Sequence, residues 1–157
     1  MTLIDPWRLE ATIRQTQRLL HSFRRWTGRD LILLQGTTLE QAQALFAAPC
    51  VVLAHGTEAD PILNYGNYAA LQLWELDWEA FIHLPSRLTA EPQQREERAR
   101  ILAEVAVRGF TEGYRGVRIS HTGRHFWIER ATVWNILDEE GGPAGQAAMF
   151  DTWRYLD

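Results

Sequence analysis

One cysteine, five histidines and sixteen basic residues, every one of them arginine, are the reactive side chains of this 157-residue chain. The absence of lysine excludes Schiff-base catalysis and the lysine-bearing phosphate loop. A single thiol, Cys50, excludes an internal disulfide and any multi-cysteine zinc or iron–sulfur site. Cys50 opens the apolar run Cys50–His55, where a thiol is expected as a small buried hydrophobe. His121 and His125 flank Thr122-Gly123-Arg124, so a tight hairpin would make the two rings cross-strand neighbours. No cysteine or carboxylate lies beside them to complete a metal set, so solvated turn histidines are expected and no metal site is assigned. Asp138-Glu139-Glu140 reads as an acidic turn, and His83, just before Pro85, as the cap of a short helix.

The polar residues least easily explained as surface are Asn67, Arg87, Arg118, Ser120 and Asn135. Tyr114 and Arg118 alternate with Val117 and Ile119, which puts them on one strand face. There Arg118 either grips an anionic ligand with its planar fork or pairs with Glu129 across a hairpin. Asn67, at a strand-to-helix junction, fits an N-cap. Tyr65, Leu71, Trp74, Phe81, Phe126, Ile128 and Trp134 supply apolar lining for a space between helices and sheet. The candidate ligand-binding set is therefore Tyr65, Asn67, Trp74, Phe81, Arg118, Phe126, Ile128 and Trp134. Such a space is either a ligand pocket or a filled core, and seven tryptophans favour a filled one.

The elements that must position these residues follow from periodicity and punctuation. Asp5-Pro6 opens an amphipathic helix that carries Leu9, Ile13, Thr16, Leu20, Phe23 and Trp26 on one stripe and stops at Gly28. Thr38-Leu39-Glu40-Gln41 has the spacing of a capping box and opens a second helix that Pro49 ends. Cys50–His55 and Ile62–Tyr65 read as strands. Helices follow from Asn67, from Trp78 to Leu84, and from Glu91 to Arg108, the last with Ile101, Leu102, Val105 and Ala106 inward and its arginines and glutamates toward water. Three strands close the chain: Tyr114–His121, Phe126–Asp138 and Gly145–Phe150. Strict alternation on the middle one puts Phe126, Ile128, Thr132, Trp134 and Ile136 on one face and Trp127, Val133 and Leu137 on the other. Both faces then need a cover, and the N-terminal helix or a partner chain is the candidate for the second.

With the helices inserted between the second and third strands, this order matches a PAS arrangement. The run Asp60-Pro61-Ile62-Leu63-Asn64-Tyr65-Gly66-Asn67-Tyr68 resembles the PAS core in which a strand ends at an Asn that opens a helix. More narrowly, the chain resembles the MEKHLA domain family, a PAS-like group. The resemblance rests on Leu84-Pro85-Ser86-Arg87-Leu88-Thr89-Ala90-Glu91-Pro92, on Arg95 and Arg98, and on Gly113-Tyr114-Arg115-Gly116-Val117-Arg118-Ile119-Ser120. Gly123-Arg124, Phe126, Trp134-Asn135 and Gly145-Gln146-Ala147-Ala148-Met149-Phe150 complete it. It implies an α+β fold: a PAS-like five-stranded antiparallel sheet with helices on one face and the N-terminal helix over the other. Residues 1–48 are expected as the helical cap and 49–157 as the PAS-like domain, similar to stand-alone bacterial members.

The function implied is a non-catalytic sensory or protein-interaction module, with a small-molecule pocket between helices and sheet. The alternative is a small-molecule enzyme using the same pocket through His83, Tyr114 and Arg118. Flavin is disfavoured because Cys50 lies on a strand, and haem because Glu91–Arg108 contains no histidine. A homodimer or protein partner is expected through the N-terminal helix or the outer sheet face. The net charge of −4 argues against non-specific nucleic-acid binding. No run approaches the roughly 20 apolar residues of a membrane span, and MTLIDPWRLE has no signal-peptide centre, so the default expectation is cytoplasmic.

Overall fold

The computed structural model describes residues 5–156. Pro6–Arg8 forms a 3-10 turn, and the N-terminal helix proper, α1, runs from Glu10 to Thr27. Leu9 between them is extended (φ −69°, ψ 137°), so the helix starts later than Asp5-Pro6 suggests. Gly28 ends α1 in the left-handed region (φ 76°), which only glycine reaches at little cost. In α2 (Thr38–Ala47) the capping box is built one residue earlier than expected. Thr37 Oγ1 accepts from the Glu40 amide, and Glu40 Oε1 accepts from the Thr37 amide. Both Thr37-x-x-Glu40 and Thr38-x-x-Gln41 fit the motif, and the carboxylate makes the stronger return bond.

The remaining elements are β1 (Val51–His55), β2 (Leu63–Gly66), α3 (Tyr68–Trp74), α4 (Trp78–Phe81), a 3-10 turn Ser86–Thr89, α5 (Pro92–Arg108), β3 (Phe110–Ile119), β4 (His125–Leu137), β5 (Pro143–Phe150) and β6 (Thr152–Leu156). They form an α+β fold around a six-stranded antiparallel sheet of order β2-β1-β5-β4-β3, with β6 also paired to β4. The expected five positions are present, but the last is filled by two strands. β5 pairs with Thr132–Leu137 and β6 with His125–Glu129, separated only by Asp151. No helix among the described residues is long and apolar enough to cross a membrane.

Alternation does not hold along β4. Arg130 sits in the left-handed region (φ 51°), and Gly113 on the neighbouring β3 does the same (φ 76°), at a register shift between the two strands. Each marks a residue that drops out of the pleat, as in a β-bulge. Asp151 is the matching break between β5 and β6, so Glu129 still faces Thr152 and Thr132 still faces Met149. Register survives across this line, but every side chain beyond it changes face. Phe126 and Ile128 therefore share a face with Ala131 and Val133, whereas Trp134 and Ile136 point to the opposite side. The expectation that Phe126, Ile128 and Trp134 line one face while Val133 lines the other is corrected by this bulge.

Each face has its own cover. α3 and α4 send Leu71, Trp74 and Phe81 onto Val51, Leu63, Phe126, Ile128 and Phe150. α1 and α2 send Leu19, Phe23 and Leu45 onto Val52, Ala54, Tyr65, Trp134 and Ile136. The Phe23 and Trp134 rings meet edge-to-face with centroids 5.0 Å apart. Polar bonds fix the angle of α1: Trp26 Nε1 donates to the Asn135 carbonyl (2.8 Å), and the Leu137 amide donates to Ser22 Oγ (2.7 Å). At the edge, Arg14 and Arg18 converge on Glu139 and hold its carboxyl down at about 2.

Candidate functional site

Between α5 and the sheet lies a cavity of about 70 Å³. Leu53, Trp74, Ile101, Leu102, Ile128 and Val133 supply apolar lining. Two arginines line it as well. Arg118 reaches it from β3 and is only 9% exposed; its Nη1 donates to the Val117 carbonyl (2.8 Å) and its Nη2 to Tyr114 Oη (3.1 Å). Gly116 lies between them, and a Cβ there would stand 2.5 Å from Tyr114 Oη and 3.1 Å from Arg118 Nη1. The missing side chain thus leaves room for this pair.

Arg98 reaches the same cavity from α5 and donates through Nη2 to Ser86 Oγ (2.9 Å). Burial, and next the neighbouring Arg118 charge, bring its guanidinium down to about 10. Among the described residues no carboxylate lies within 4.0 Å of either guanidinium. Trp74, on the apolar wall, is 2% exposed, and its indole N–H has no partner among the described residues.

A hydrogen-bond chain leads away from Arg98. Gln146 Nε2 donates to the Leu102 carbonyl (2.8 Å) and to Asn135 Oδ1 (3.1 Å), which leaves its Oε1 as acceptor. His55 Nε2 must then be the donor to Gln146 (3.3 Å), and Nδ1 the acceptor of the Ser86 hydroxyl (2.9 Å). This assigns His55 as a neutral Nε2–H ring. Burial, aided by the Arg98 charge, lowers its pKa to about 4, in agreement. Asn135 closes the chain: its Nδ2 donates to the Val105 carbonyl on α5 (2.9 Å), and its own carbonyl accepts from Trp26 on α1.

Of the candidate residues, Trp74, Arg118 and Ile128 line this cavity. Phe126 and Phe81 pack in the adjoining cluster, both fully buried, with Phe126 edge-on to Trp74 at 5.1 Å. Tyr65 and Trp134 lie on the α1 face instead. Trp134 moves there because of the bulge, and Tyr65 because it pairs with Ala54, whose side chain faces α1. Asn67 is buried with every hydrogen-bonding function used: Oδ1 accepts from the Val52 and Ala70 amides, and Nδ2 donates to the Leu45 and Cys50 carbonyls. It joins α2, β1 and α3 and has nothing left for a ligand.

Arg118 does not pair with Glu129, which accepts from Trp127 Nε1 and lies 3.9 Å from Arg154. His83 caps its own helix turn through the Glu79 carbonyl (2.7 Å), and His125 contacts Glu91. Ser120 donates to Glu75 (2.6 Å). No group of three or more metal-ligating side chains gathers among the described residues. Cys50 precedes β1, is partly buried, and has its thiol pushed up by that burial.

Arg98, named only for the family resemblance, and His55 were not among the candidate site residues, yet both carried a signal. Arg98 stands at helical spacing from Ile101, Leu102 and Val105, on the apolar stripe rather than the solvent face. His55 alternates with Val51 and Leu53 on β1.

Fold and cavity together define a PAS-like domain. The chain superposes on the PAS domain of a protein from Colwellia psychrerythraea with a TM-score of 0.62, at 17% identity, covering 74% of this chain and 94% of that one. A light-oxygen-voltage domain aligns with a TM-score of 0.58 at 15% identity, covering 75% and 85% of the two chains. The chain belongs to the MEKHLA domain family, whose model matches residues 13–155. The rice (Oryza sativa subsp. indica) Homeobox-leucine zipper protein HOX32 is 23% identical over 136 residues, 86% of this chain but 16% of that protein. The chain therefore corresponds to a small part of the curated relatives it matches. The cavity is much smaller than the roughly 300–1,000 Å³ of pockets that enclose a drug-sized ligand.

Proposed function

We propose that this chain is a non-catalytic sensory or protein-interaction module, in which a small molecule entering the α5 cavity changes how residues 1–48 cap the opposite face. The observation that carries this reading is Asn135. Its side chain holds the last turn of α5, its carbonyl holds Trp26 of α1, and Gln146 ties it to the cavity through His55 and Ser86. A ligand that draws α5 toward β3 pulls on this chain and biases the seating of α1. Read as an enzyme, the same cavity offers, among the described residues, only the Tyr114 hydroxyl, which accepts from Arg118, as an uncommitted acid: both His55 nitrogens are engaged, and His83 is held elsewhere.

Filling the cavity tests the proposal without knowing the ligand. Ile128→Trp in the full chain should mimic occupancy, and amide exchange in Glu10–Thr27 should change along with exchange in α5. Native mass spectrometry of the wild-type chain from its host should show a bound small molecule that the variant lacks. A wild-type apo mass, with α1 exchange unmoved by the substitution, overturns the reading.

A further inference from the structure

We infer that the cavity's ligand is a small aliphatic carboxylate, its charged end held between Arg98 and Arg118 and its alkyl end against Ile101, Leu102 and Ile128. This rests on the cavity being the ligand site. Two guanidiniums enter one space from different elements, α5 and β3, and neither has a carboxylate partner among the described residues. Like charges brought together away from water repel, so the arrangement is relieved by an anion placed between them.

The donors suit a carboxylate. Arg118 uses Nη1 on Val117 and Nη2 on Tyr114, and Arg98 uses Nη2 on Ser86, while each fork retains further N–H groups. Two planar forks match the two oxygens of one carboxylate. The neutral His55 behind Ser86 orients Arg98 without adding charge. The remaining wall disfavours phosphate. It is mainly aliphatic and would strip water from the rest of a polyanion without replacing the hydrogen bonds. A volume of about 70 Å³ restricts the tail to a short one.

Propionate is the probe, propionamide its uncharged isostere, and inorganic phosphate at matched ionic strength the second anion. In the full chain, propionate should raise the melting temperature with a saturating dose dependence, and propionamide and phosphate should not. Amide shifts on propionate titration should concentrate at Tyr114–Arg118 and Gln94–Leu102. Arg98→Gln and Arg118→Gln should each weaken propionate binding at least tenfold, while Arg100→Gln, on the exposed side of α5, should leave it unchanged. If one arginine variant fails to fold, the other and the shift map still decide. Propionamide binding as well as propionate overturns the carboxylate and leaves the cavity reading standing. Phosphate binding equally well also overturns it. Absence of binding by all three, with α1 unmoved in Ile128→Trp, overturns both.

Discussion

The two faces of the sheet are built from the same strands and do opposite things. On the α1 face, Phe23, Trp134, Tyr65 and Leu45 close against one another with almost no exposure. On the α5 face, packing is as tight around Trp74 and Phe126 but stops short at a cavity that two arginines line. The first face has the character of a structural interface, and the second is the one we propose as a site. The difference teaches that apolar residues alone do not separate core from pocket. What separates them is unneutralised charge, which a folded chain holds away from water only at a cost to stability.

The largest effect that would break this contrast is on the α1 face. Trp134→Ala removes a fully buried ring from beneath Phe23 and should cost about 3–5 kcal/mol, read as a lower urea midpoint. An effect near zero would mean that α1 is a loose appendage.

The next concerns acid. His55 is 6% exposed and faces Arg98 on α5, Ser86 in the 3-10 turn and Gln146 on β5, with the more distant Glu58 attracting it weakly. Its folded pKa of about 4 lies below the unfolded 6.5, so the unfolded chain takes up the proton first. Its contribution is therefore complete above pH 6.5 and lost as pH falls toward 4, by roughly 3 kcal/mol. Stability of His55→Gln should be flatter across that window. Glu139 acts lower: held at about 2 by Arg18 and Arg14, its contribution is present above pH 4.5 and lost toward 2. Glu139→Gln should therefore lower stability above pH 4.5 and flatten only the more acidic limb.

Arg130→Gly should raise stability by about 1 kcal/mol, since glycine adopts the left-handed conformation without a Cβ penalty. Loss of stability would show that the Arg130 side chain, not its backbone, holds the bulge. The smallest expected change is at the site itself. Arg98→Met should leave ligand-free stability unchanged or slightly higher, because a half-buried cation without a carboxylate partner is replaced by an apolar chain of similar length. A large destabilisation would place an unseen partner on Arg98 and erase the contrast between the faces.

Much of this was legible. Gly28 and, one residue out of register, the Thr38–Gln41 run marked helix ends, Asn67 caps α3 at a strand-to-helix junction, and the closing hairpins follow their turn residues. The candidate site was half legible. Arg118 and Tyr114 share a face by simple alternation, and they meet. Trp134 was misplaced because alternation is a local rule that one dropped residue inverts. Arg130 gives no warning of that, as arginine is not a residue that favours positive φ. β6 was missed because Thr152–Leu156 continues β5 after a single break at Asp151 and has no turn signal of its own.

The sequence by itself determined every element but β6, the family and the chemical inventory: arginine without lysine, one thiol, and tryptophans enough to fill a core. These follow from composition and short-range spacing, which the unfolded chain already possesses. Only the tertiary structure decided which face each ring of β4 occupies and that Arg98 and Arg118 line one cavity. Both depend on residues distant in sequence being brought together, through the bulge line shared by three strands and the docking of α5 over β3. Such placements are settled by the packing of the whole sheet, not by any local preference.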